Sequence, residues 1–145
     1  MKKILAFAFL ATTATTALVH AESLEERKFW KGQMDYLNKA IEKGEKACGV
    51  KFTLELLDKE KFRAETDKTH QTPRGVCNVM IDEISTVCRQ GEDEKAAVKA
   101  KIKSIQCGFA NPRNLALKNG TLTYLGNNQE SNFSEWARPW LMKHL

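Results

Sequence analysis

Chemistry-bearing residues are scarce in this chain. Histidine occurs only at His20, His70 and His144, and no second histidine stands at metal-ligand spacing from His70. No serine lies in a G-x-S-x-G setting, so the strained turn that presents a hydrolase nucleophile is missing. No two of the four cysteines form a C-x-x-C pair, which removes the usual thiol redox motif and the usual half of a zinc site. Beyond the first 21 residues there is no apolar run long enough to span a bilayer, no internal repeat and no low-complexity tract. The basic residues are not interleaved with enough aromatics to resemble a nucleic-acid groove. No cofactor and no nucleic-acid partner is implied.

What is present begins with an address. Met1-Lys2-Lys3 is a positive n-region, Ile4 to Ala11 an apolar h-region, and Val19-His20-Ala21 offers the small residues a signal peptidase accepts. Four threonines interrupt the segment after its first apolar residues, so it reads as a bacterial signal peptide cleaved before Glu22 rather than as an anchor. Removing the first 21 of 145 residues leaves 124, enough for one stapled domain over 22–145. Lys2 and Lys3 leave with it, so 21 basic and 18 acidic residues remain, a net charge of +3. That mild excess permits attraction to anionic envelope polymers without requiring it. The expected location is the periplasm or the outside of the cell.

Cys48, Cys77, Cys88 and Cys107 all fall in the mature part, and an even count in an exported chain implies two disulfides. Cys77 and Cys88 sit in one predicted helix with Cα atoms ~16 Å apart along its axis, far beyond the ~4.4–6.8 Å a bridge allows. Each must therefore reach Cys48 or Cys107. Sequential pairing, Cys48–Cys77 with Cys88–Cys107, is the expectation, and the crossed pairing is the alternative.

The expected fold is α+β. Residues 23–47 form an amphipathic helix, with a Ser23/Glu26 capping box, a Trp30, Met34, Leu37 and Ile41 stripe, and Gly49 as its stop. Val50 to Leu56 alternates as a half-buried strand, and 58–71 reads as a charged surface loop with room for one helical turn. Thr72-Pro73 opens a central helix running to about Gln90 and closed by Gly91. Residues 92–101 form a short helix whose acidic start and basic end match the helix dipole. Ile102 to Phe109 alternates again, and Ala110 to Arg113 turns the chain. Asn119-Gly120 then marks a type I′ hairpin that pairs Lys118 with Thr121, Leu117 with Leu122 and Leu115 with Tyr124. A last helix over 132–145 carries Pro139, which implies a late start or a kink. The first strand is expected to join a three-stranded meander in an antiparallel sheet of three to four strands, with the helices on one face.

Three groups are candidates for function. Trp136 and Trp140, four apart on the last helix, are either core or a partner-binding anchor; a terminal helix needs docking to stay ordered, which favours core. His70 lies near Glu65 and Asp67, a setting a small hydrolase could use as a general base, though a solvated loop histidine is the expectation. Glu92, Asp93 and Glu94, and the basic runs around Arg27–Lys31 and Lys95–Lys103, read as helix-end and solvated surface charge. The function read from the sequence is a small non-enzymatic binding module for a protein or cell-envelope partner, with the hydrolase as alternative.

Overall fold

The computed structural model describes residues 22–127, 129 and 131–145; the predicted leader, residues 1–21, lies outside them. Along the chain run α1 (Leu24–Cys48), β1 (Thr53–Leu56), α2 (Lys59–Thr69), α3 (Pro73–Cys88), α4 (Glu92–Lys101), β2 (Ser104–Phe109), β3 (Asn114–Lys118), β4 (Thr121–Gly126) and α5 (Phe133–His144). The α+β class holds. No helix among the described residues is long and apolar enough to cross a membrane.

The long first helix starts and stops where its local chemistry dictates. Ser23 Oγ accepts the Glu26 backbone N–H at 3.1 Å, and Gly49, at φ 64°, donates its own N–H to Glu45 O at 2.8 Å. The Glu26 carboxylate pairs with Arg63 of α2 at 2.9 Å. Trp30, Leu37 and Ile41 are buried along the predicted stripe, and Met34 packs against the core from its rim.

Residues 59–69 are a helix, not a loop. The charged composition conceals good helix formers, with Lys, Glu, Arg and Ala at most positions. Asp58 caps the start by accepting the Lys61 N–H at 3.0 Å, His70 takes the left-handed C-cap position at φ 59°, and Phe62 is wholly buried. One apolar anchor makes no stripe, so periodicity does not reveal this helix. Helix α3 is shorter than expected. It ends at Cys88, its last carbonyls taken by Arg89 and Gln90 N–H groups, and Gly91 is extended backbone at the head of α4 rather than a left-handed stop.

The sheet is mixed, which corrects the antiparallel meander. Its order is β1-β2-β4-β3; β1/β2 and β2/β4 are parallel, and only β3/β4 is antiparallel. The β1-to-β2 connection carries three helices, long enough for a parallel crossover. After β2 the chain turns at Ala110–Arg113 but leaves one strand's width open. β4 fills that gap, and Ala110 N donates to Gly126 O at 3.0 Å where the turn crosses its end. The hairpin itself has the predicted register, with Asn119 and Gly120 at φ 49° and 81°.

Strand alternation separates two faces. Ile105 and Cys107 of β2, Leu122 and Tyr124 of β4 and Leu115 of β3 are buried on one of them. The opposite face carries Thr53, Glu55, Ser104, Gln106, Thr121 and Thr123, none of them buried. Across it, Gln106 Nε2 donates to Glu55 at 2.7 Å, Thr123 Oγ1 donates to Gln106 Oε1 at 3.1 Å, and the Ser104 and Thr121 hydroxyls lie 2.7 Å apart.

Helix α3 is the centre of the buried layer, and α1 lies along it in the same direction. Arg74 N, at the start of α3, donates to Gln33 Oε1 in the first half of α1, and Gly44 lies against Ser85 and Ile81 near both ends. This arrangement brings Cys48 to Cys88 (Cα–Cα 5.1 Å), while Cys77, in the first turns of α3, reaches Cys107 on the inward face of β2 (5.8 Å). Two disulfides are present, and Cys77 and Cys88 are not joined to each other, as their spacing requires. The sequential pairing is wrong: it assumes that neighbours in sequence meet, whereas two helices running in one direction bring their C-terminal ends together.

Candidate functional site

Helix α5 carries the candidate residues and is held from two sides. Ala137 and Leu141 are wholly buried. On one flank, Ser134 Oγ and Arg138 Nε both donate to the carboxylate of Glu83 in α3, each at 2.6 Å. Glu83 is only 3% exposed, so its charge is held by a charge-assisted bond and a hydroxyl rather than by water. The hydrogen bond to Glu83, with its negative charge, raises the Arg138 pKa. Sequence reasoning missed this clamp. The available signal was positional: Glu83 lies three residues after Met80 and four before Val87, on the rim of the α3 stripe.

The other flank is aromatic. Tyr124, Phe133 and Trp136 form a cluster with ring centroids 5.3, 5.8 and 6.5 Å apart, and the Arg113 guanidinium lies 4.4 Å from the Trp136 ring centre. Arg113 is fixed in turn by Ser131 O at 3.2 Å and Asn132 Oδ1 at 2.9 Å. Trp140 stacks on His144 at 4.0 Å with the rings 15° apart. The His144 ring Nδ1 lies 2.7 Å from Trp140 O, and the His144 carbonyl accepts from Lys101 Nζ at 3.1 Å. Both tryptophans are half-buried and pack against the core. Pro139 sits inside this helix, which starts at Phe133.

His70 stands apart from any such assembly. Its side chain is exposed, and among the described residues its imidazole makes no hydrogen bond to a serine or a carboxylate. A cleft of about 340 Å³ opens nearby between the start of α1 and α2, lined by Ser23, Glu26, Phe29, Trp30, Arg63 and Asp67, but His70 is not among its walls. The Ser23 hydroxyl there is engaged in capping α1. Glu92, Asp93 and Glu94 open α4, with Glu92 3.6 Å from Lys95. Among the described residues no three His, Cys, Asp or Glu side chains gather as metal ligands.

At the C-terminal end of α1, Glu45 is a structural anchor. Burial raises its carboxyl pKa, but the Lys51 ammonium at 2.6 Å and the Phe52 N–H at 2.9 Å together outweigh burial and leave it lowered. The same hydrogen bond and charge raise Lys51.

Comparison with protein families, with curated proteins and with solved structures found no match.

Proposed function

We propose that residues 22–145 are an exported binding module, placed in the periplasm or outside the cell, and that the α5 edge formed by Trp136 and Trp140 meets a protein or cell-envelope partner. The observation that carries this reading is the state of the two indoles. Each is stacked, Trp136 beneath Arg113 and Trp140 against His144, and each is partly exposed. Large aromatic rings held rigid before contact, with an arginine beside them, are the chemistry that dominates interface energetics, because little side-chain entropy remains to be lost. The two disulfides support export, since such bridges persist in oxidising compartments. The mature protein is expected to begin at Glu22, which mass analysis of the exported form checks.

The test compares capture from envelope extract by three proteins: the wild type, Trp140→Ala and Met142→Ala. Met142 is exposed on the same helix and serves as the control. A partner that is retained by the wild type and by Met142→Ala but lost by a folded Trp140→Ala supports the reading. Equal retention by all three defeats it.

A further inference from the structure

We propose that the end of the sheet where β1, β2 and β4 begin binds a linear polyanion carrying phosphate groups along one chain. This goes beyond the α5 reading and does not depend on it. Lys99 and Lys101 lie in the last turn of α4, Lys103 leads into β2, and Lys118 closes β3 beside the hairpin turn. The turn joins them: Lys103 and Ser104 N–H groups donate to Gly120 O at 2.7 and 3.1 Å, and the Lys103 stem lies against Gly120. All four side chains are exposed, and none makes an ion pair among the described residues. The acids of α4 sit at its opposite end, about 7–14 Å away along the axis, and Glu45 is already engaged by Lys51.

A second feature lies beside the lysines. Thr53, Ser104, Thr121 and Lys118 are in register across all four strands, forming one row of the open face. The row presents three hydroxyls and an ammonium. Ser104 and Thr121 share one hydrogen bond at 2.7 Å, which uses one of their two donors; the other, with Thr53 and Lys118, remains suited to phosphate oxygens. The nearest carboxylate on that face, Glu55, is one row up at the far edge and accepts from Gln106. Lys101 and Lys103 each direct one Nζ donor to a carbonyl, of His144 and Lys99, leaving the remaining donors for a ligand. Strand spacing of about 4.8 Å spreads these groups along a line rather than into a pocket, which fits an extended chain. A bilayer contact would draw on apolar insertion, and of the exposed large apolar side chains Leu24 and Tyr36 belong to α1, with Met142 alone on α5.

The probe is long-chain inorganic polyphosphate, titrated into the purified protein with both disulfides formed. Wild type should bind, and binding should weaken about fiftyfold between roughly 50 and 200 mM salt, the slope for four neutralised charges on a single chain. Changing Lys99, Lys101, Lys103 and Lys118 together to Gln should raise Kd by about tenfold or more. The same change at Lys28, Lys39, Lys43 and Lys68, which alters net charge equally, should move it by less than about twofold. If the first variant proves unstable by circular dichroism, Lys99→Gln with Lys118→Gln touches no hydrogen bond and should still cost about threefold. Three results would overturn the proposal: no binding by wild type, equal loss in both quadruple variants, or tighter binding to vesicles of anionic phospholipid at matched phosphate and salt.

Discussion

Two carboxylates do structural work that their neighbours in sequence do not announce. Glu83 links α3 to α5 through Ser134 and Arg138, so Glu83→Ala leaves two donors without their acceptor. We expect it to cost about 2 kcal/mol, because Arg138 is 38% exposed and regains water. Chemical denaturation checks the size of the loss, and hydrogen exchange should place it in α5. Glu45 behaves differently because its folded pKa lies below its unfolded one. A group lowered on folding contributes stability above its unfolded pKa and loses it as pH falls through the folded value. Wild type should therefore lose stability below about pH 4.5, the ordinary value for this group. Glu45→Gln should flatten that limb while being less stable near neutrality, as unfolding curves measured across pH would show. At this scale the sequence was partly legible. The Trp136/Trp140 spacing placed both indoles on one side of a helix, whereas the Glu83 clamp needs the unforeseeable approach of a helix 50 residues later.

Elements were legible where the signal is local. Ser23 and Gly49 bracket α1, and Asn119-Gly120 sets the hairpin register, because caps and primed turns are decided within a few residues. Helix α2 was illegible for the opposite reason: its single buried residue, Phe62, supplies an anchor without a period. Phe62→Ala should cost about 3–5 kcal/mol. Asp58→Ala, which removes only the cap, should cost about 1 kcal/mol. If α2 were an undocked surface segment, thermal melts of both variants would match wild type. The strand order was illegible as well. The Ala110–Arg113 turn says that the chain reverses, and nothing nearby says that the adjacent position is reserved for β4.

For the whole molecule, the disulfides determine how much of the chain is tied together. The bridges join residues 40 and 30 apart, and in the chain-entropy account each is worth about 4 kcal/mol. Proteolytic mapping of the unreduced protein should yield Cys48–Cys88 and Cys77–Cys107 peptides, and thiol labelling after denaturation without reductant should find no free cysteine. The α+β class followed from alternating strands among helical periods. The pairing did not, because a helix that separates Cys77 from Cys88 is compatible with either connection to Cys48 and Cys107. Only the shared direction of α1 and α3 decides between them.

That crossed pattern has a consequence for biosynthesis. On the proposed export route, a chain entering an oxidising compartment N-terminus first presents Cys48 and Cys77 before Cys88 has emerged. An oxidant acting on partners as they arrive joins the wrong two. The native pair must then be recovered by thiol–disulfide exchange with a later thiolate. Cells lacking a disulfide isomerase should accumulate the Cys48–Cys77 form, so the yield of this small protein is tied to shuffling capacity as well as to oxidising power.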